Sequence, residues 1–408
     1  MLVRTVLRRR RPAAVLAGVV VLSAALAGCQ KDSSSTQAGP REQPSASGSA
    51  SSSPSPSSQV QVRSNVARTG VRIDRVVRLT AEHGTFDGVT VMGGGAKLAG
   101  ALSEDKTTWT ASAALEPGTK YRVHALTTDD DGRQSPQTSS FRTQALSMDQ
   151  QTYPSFAPLN GETVGVGMPV IVHFDVPVTD KASIEKHLKV KNTSGQKGAW
   201  HWISDTEVHW RPTTYWRPGT DVTVSADVNS VPAGNGVYGQ LDRSSTFHVG
   251  SSVISKVNVK THRMKVYVDG QLKRTIPVSA GKPGFITRSG VKVIVEKFKT
   301  KHMDAATTGI SKDDPEYYDL SDVKYAMRVT YSGEFIHAAP WSVGSQGSAN
   351  VSHGCVGMST ENAKWLFDIS KRGDVVDVTG SDRHMTLTNG YGDWNEPFAT
   401  YAQGSALS

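Results

Sequence analysis

His337-Ala338-Ala339-Pro340-Trp341 and, with fourteen residues between the histidine and its serine, Ser352-His353-Gly354-Cys355-Val356-Gly357 form the most informative stretch of this 408-residue chain. A cysteine attacks as its thiolate, so a nucleophilic thiol needs a base or a positive charge beside it. His337, at the end of the strand-like run Glu334-Phe335-Ile336-His337, offers an imidazole for that purpose. His353 lies two residues from Cys355 and either shares that work or orients the loop. Gly354 admits a tight backbone conformation without a Cβ clash. The amides of Gly354 and Cys355 are therefore expected to converge on one point as an oxyanion hole.

Around this stretch the chain reads as mostly β. Met264 to Val268 and Leu272 to Ile276 flank Asp269-Gly270, a two-residue turn signal because both positions tolerate positive φ. Val291, Val293 and Val295 alternate. Ser332-Gly333 separates Tyr325–Val329 from Glu334–His337 as a second hairpin. After the cysteine, Ala363, Leu366 and Phe367 share one face of a short helix, capped by Ser359 or Thr360 and ended by Gly373. A strand from Val375 to Val378 follows.

Upstream, residues 61 to 250 show short alternating runs such as Gly88–Val91, Tyr121–His124, Pro169–Phe174 and Val222–Val224. Pro117-Gly118, Asp131-Gly132 and Pro218-Gly219 punctuate them as turns. That spacing predicts two β-sandwiches, with a helical segment at Asp180–Leu188 in the second. The tryptophans Trp200, Trp202, Trp210 and Trp216 are expected to pack in cores or between domains. His201, His209 and His248 have no ligand spacing and read as structural, and Asp129-Asp130-Asp131 reads as a solvated turn.

The first 28 residues read as an export signal: basic residues, then the apolar run Ala13–Ala27, then Leu26-Ala27-Gly28-Cys29. That ending resembles a lipobox, which implies a lipid on the Cys29 thiol and attachment to a membrane. Residues 29–60, rich in Ser and Pro, cannot bury enough apolar surface to fold and read as a tether. Of two cysteines, a lipidated Cys29 leaves Cys355 without a partner in the chain, and a lone thiol in an exported protein points to chemistry. The net charge of +8 draws five arginines from the signal; without them 40 basic residues face 37 acidic ones, which argues against a nucleic-acid partner.

The pattern of histidine, fourteen residues, then Ser-His-Gly-Cys resembles the signature of L,D-transpeptidases, the YkuD-type fold. With the lipobox, tether, sandwich pair and the late Gly392-Asp393-Trp394-Asn395, the chain is similar to actinobacterial members with two immunoglobulin-like domains. The resemblance implies a signal at 1–28, a tether at 29–60, sandwiches at 61–148 and 149–250, a catalytic domain at 251–380, and a segment at 381–408 packing on it. It implies Cys355 as nucleophile, His337 as base, and the Ala338 carbonyl fixing the imidazole tautomer. His353 and Gly354 would complete the oxyanion loop. Ser332, Gly333, Tyr318 (or Tyr317), Met303, Trp341 and Gly357 would line the substrate site. Two positions depart from the pattern: Gly357 stands where asparagine is usual, and Thr307 or Thr308 where the flap is often aromatic.

The implied reaction joins third-position diamino acids of peptidoglycan tetrapeptide stems through a thioester, with release of D-Ala and no cofactor or metal. Carbapenems would acylate the same thiol. The alternatives are a carboxypeptidase or other cysteine peptidase, and a non-enzymatic wall-binding lipoprotein. Sortases need an arginine soon after the cysteine, and the nearest here is Arg372.

Overall fold

The computed structural model describes residues 59–408. The signal, the lipobox with Cys29 and nearly all of the tether lie outside the described residues. Among those described, no helix is long and apolar enough to cross a membrane.

Strict alternation builds the first sandwich. In Lys120–Asp129, Tyr121, Val123, Ala125 and Thr127 are buried, while the residues between them face water. This strand pairs with Gly84–Gly93 and Gln134–Arg142. The opposing sheet runs Gln61–Ser64, Arg78–Glu82, Thr108–Ala111 and Gly100–Leu102. Leu79, Phe86, Trp109 and Phe141 fill the space between. Asp129 holds its own turn by accepting from the Asp131 and Arg133 amides, 3.0 and 2.8 Å.

The second sandwich sets Pro154–Ala157, Val170–Phe174, Glu207–Pro212 and Gly198–Trp202 against Thr163–Val164, Arg243–Val249, Asp221–Ala226 and Leu188–Asn192. All four tryptophans named above lie in its core. Its helix is shorter than the sequence suggests, Lys181–Glu185, because Leu188 already begins a strand; Asp180 caps it through the Ser183 amide, 3.0 Å.

The third region has a five-stranded sheet ordered Gln271–Pro277, Arg263–Val268, Val253–Asn258, Val375–Thr379 and Gly290–Val293. A four-stranded sheet follows: Glu296–Asp304, Asp319–Arg328, Phe335–Ala338 and Val356–Met358. Asp269 and Gly270 make the expected turn with φ of 48° and 79°. The helix Thr360–Ile369 packs on Asp319–Arg328 and Phe335–Ala338, capped by Ser359. It stops at Ser370 rather than at Gly373. Gly373 instead serves the seam with the second sandwich, where the Gly165 and Gly167 amides donate to the Arg372 and Gly373 carbonyls, both at 2.8 Å. A Cβ on Gly165 would fall 2.1 Å from Asp374, so the backbones meet only because it is glycine. Val293, Val295 and Val375 join the second sandwich's core across this seam.

The C-terminal segment packs on the catalytic domain through Asn395, which bonds the Val291 amide and carbonyl at 2.8 and 2.7 Å. Beyond it, Phe398–Ala402 and the last residues lie on the second sandwich. The reason is two buried charges there that need partners. The Arg211 guanidinium lies over the rings of Trp394, Phe398 and Tyr401 at 4.8, 5.3 and 4.4 Å, and Glu185 accepts from Trp202, Ser405 and the Ala406 amide. Buried Asp393 bonds His209 at 2.8 Å and Tyr401 at 2.9 Å.

Burial opposes a charge on His209, but Asp393 and Glu207 outweigh it and raise the imidazole from 6.5 to about 9. A raised histidine stabilises the fold fully below its unfolded value and loses that contribution as pH climbs through the folded one. Stability in urea should therefore fall between about pH 6.5 and 9. Asp393→Asn should flatten that decline and cost roughly 3–5 kcal/mol near pH 6, because it leaves a buried charge short of a partner.

Candidate active site

Cys355 follows the loop residues Ser352, His353 and Gly354 and immediately precedes the strand Val356–Met358. That strand runs parallel to Phe335–Ala338, with Ile336 opposite Val356 and His337 opposite Gly357. The pairing brings the cysteine and the histidine to one end of the sheet. Both line a cavity of about 330 Å³ with Trp341, Ser352, His353 and Tyr318. Both are also largely covered, with 8% and 5% of their surface exposed.

The loop is held by its own polar groups. The Ser352 hydroxyl donates to the Cys355 carbonyl at 2.6 Å and accepts from the Gly354 amide at 3.1 Å. Thr287 donates to the Gly354 carbonyl at 2.8 Å. Gly354 sits at φ 117°, a conformation that side chains disfavour. The Gly354 amide is thus engaged by the Ser352 hydroxyl in the free site. The Cys355 amide takes no hydrogen-bond partner among the described residues, which leaves it free to meet a developing oxyanion.

His337 donates through Nδ1 to the Ala338 carbonyl at 2.8 Å, so Nε2 carries the lone pair. Burial holds this imidazole below its ordinary value, partly offset by that bond. The Trp341 ring stacks on it at 5.9 Å. The thiol contacts the Phe335 amide at 3.4 Å and the Gly333 carbonyl at 3.6 Å rather than forming a hydrogen bond with the imidazole. Burial pushes the thiol up to about 11; Phe335 and Lys292 act against that rise, and Glu334 adds to it. Burial thus disfavours the charged form of both partners. Beneath them Glu334 is paired with buried Lys292 and, at 2.8 Å, with Arg288.

Residues 252–378 match the L,D-transpeptidase catalytic domain (YkuD) and residues 68–232 the bacterial Ig domain. L,D-transpeptidase 2 of Mycobacterium tuberculosis is 35% identical over 339 residues, which cover 83% of this chain and 82% of that protein. The chain belongs to the L,D-transpeptidase family. L,D-transpeptidase 5 of the same species is 35% identical over 77% of this chain and 69% of its own. A solved L,D-transpeptidase in complex with imipenem is 37% identical, covering 55% of this chain and 97% of that one, with a TM-score of 0.49.

The remaining residues of this transpeptidase that the sequence singled out divide into three groups. Met303 and Tyr318 line the cysteine's cavity and also an adjoining one of about 230 Å³, which holds Ser332, Gly333, Thr307 and Thr308. Tyr318, not Tyr317, is the aromatic facing the cysteine; Tyr317 is engaged by Asp304. Gly357 does not reach either cavity. Its amide and carbonyl are bonded to Ser279 at 2.8 and 2.9 Å, and a Cβ there would come within 2.8 Å of Ala339. Sequence reasoning missed Thr287, Phe285 and Glu316. Phe285 and Tyr318 flank the His353 ring at 4.6 and 4.9 Å, and His353 Nε2 meets Glu316 at 2.8 Å.

A neutral resting thiol has a direct readout. Alkylation of Cys355 by iodoacetamide should climb about tenfold per pH unit through pH 9 toward its limit near 11. A plateau reached below pH 8 would instead reveal a standing thiolate–imidazolium pair.

Proposed function

We propose that Cys355 carries an acyl group between peptidoglycan stems and that His337 moves the protons. The observation that carries this is the shared cavity: the Cys355 thiol and an imidazole whose Nδ1 is committed to Ala338 line it together. The thiol turns from the Gly333 carbonyl toward Nε2 and surrenders its proton as sulfur attacks the carbonyl of the donor's third residue. The Cys355 amide faces the oxyanion. Collapse releases D-Ala, which takes the proton from His337, and leaves a thioester. The side-chain amine of a second stem then attacks, His337 accepts its proton, and the thiol is restored. The product joins two third-position diamino acids.

Water in place of the amine would give carboxypeptidase activity at the same site. Two adjoining cavities sharing Met303 and Tyr318 support a two-substrate reaction. The strained carbonyl of a carbapenem is a fitting acyl donor for the same thiol, and we include such compounds among its inhibitors. The signal-like N-terminus and Cys29 support export and lipid attachment to the outer face of the membrane, with the sandwiches reaching into the wall.

Purified protein incubated with tetrapeptide muropeptides should yield dimers with loss of D-Ala, and Cys355→Ala should yield none. His337→Gln should slow acylation by roughly 10²–10⁴-fold. Imipenem should add its mass to the wild type only. Dimers formed by Cys355→Ala would overturn the assignment.

A further inference from the structure

Glu316 makes an unusual pair of contacts for a surface carboxylate. Its Oε2 meets both His353 Nε2, at 2.8 Å, and the Lys282 ammonium. Among the described residues it is the only carboxylate within ion-pair distance of either side chain. His353 lines the cavity that holds Cys355, so the shared oxygen sits at that cavity's rim.

The two sides of this contact are held very differently. Lys282 belongs to a segment stitched to the catalytic loop. Its amide donates to the Ser352 carbonyl at 2.9 Å, and the Ser352 amide donates to Ala280 at 3.0 Å. Gly281 donates to Thr287, whose hydroxyl in turn reaches the Gly354 carbonyl, both at 2.8 Å. His353 is flanked by the rings of Phe285 and Tyr318. Glu316, in contrast, is half-buried directly after the exposed run Ser311–Pro315, and its amide is bonded only to Asp314 of the same turn, at 2.8 Å. A pair of fixed donors is thus met by a carboxylate on a surface turn.

We propose that Lys282 and His353 form a subsite for a carboxylate of the stem peptide, and that Glu316 occupies it until substrate arrives. This rests on the transpeptidase reading above. Two charge-assisted donors at the rim of an acyl-transfer site are suited to an anionic oxygen. Two such groups flank the reacting bond of a tetrapeptide stem: the terminal D-Ala carboxylate, and the second carboxylate of a diamino acid that has one. Either would have to displace Glu316, which makes that side chain an intramolecular competitor and raises KM without touching the chemical step.

The test uses the full chain and three synthetic tetrapeptide stems: one with both carboxylates free, one amidated on the diamino acid, and one ending in D-Ala amide. Release of D-Ala or its amide gives kcat and KM. The subsite predicts that wild type favours the free acid over one of the two amides, and which amide suffers identifies the carboxylate. Lys282→Gln should reduce that preference about tenfold, the value of one charge-assisted hydrogen bond. Glu316→Gln should lower KM for the free acid severalfold at unchanged kcat, with little change for the disfavoured amide. A preference identical in wild type and Lys282→Gln overturns the subsite and leaves the transpeptidase reading intact. No release from any stem by wild type overturns both.

Discussion

The parallel pairing of Phe335–Ala338 with Val356–Met358 is the constraint on which the site depends. Parallel neighbours cannot be joined by a tight turn, so residues 339–355 must cross over from the end of one strand to the start of the next. That crossover carries Trp341 at its beginning and Ser352, His353 and Cys355 at its end. The long interval between His337 and Ser352 is thus the length of a connection, and the register decides that His337 and Cys355 share one mouth. The same register explains Gly357: opposite His337 and under Ala339, it has no space for a side chain.

Burial dominates the electrostatics of the pair. It disfavours the charged form of each partner, raising the thiol and lowering the imidazole. The nearby Glu334 and Lys292 neutralise one another, and their opposed influences on the sulfur are smaller than desolvation. In the proposed reaction, proton transfer is therefore deferred to the moment of attack, when substrate has replaced water and the Cys355 amide has an oxyanion to meet.

The β architecture was legible because period-two alternation survives in strands such as Lys120–Asp129, Asp221–Ala226 and Val253–Asn258. The turn at Asp269-Gly270 and the Ser359 cap were legible because each rests on local backbone chemistry. His337 and Cys355 stood out because a short motif encodes a geometry that the crossover then delivers. What stayed hidden depends on distant partners. Glu316, beside Asp313 and Asp314, reads as a solvated acidic run, and nothing local marks its contact with Lys282 and His353. The Gly354 amide is withdrawn by a hydroxyl two residues away, a competition that a motif does not display. Asp393 and Tyr401 sit in a tail without periodicity, and their role appears only when His209 is brought alongside.

That tail has a consequence for how the parts of the molecule depend on one another. Glu185 and His209 belong to the second sandwich and have partners there in Trp202 and Glu207, yet their remaining bonds go to Ala406 and Asp393, 221 and 184 positions later. The second sandwich therefore buries these polar groups fully paired only once residues 393–406 have docked on it. The same segment grips Val291 through Asn395, so the scaffold and the region that carries Cys355 are latched by one strap.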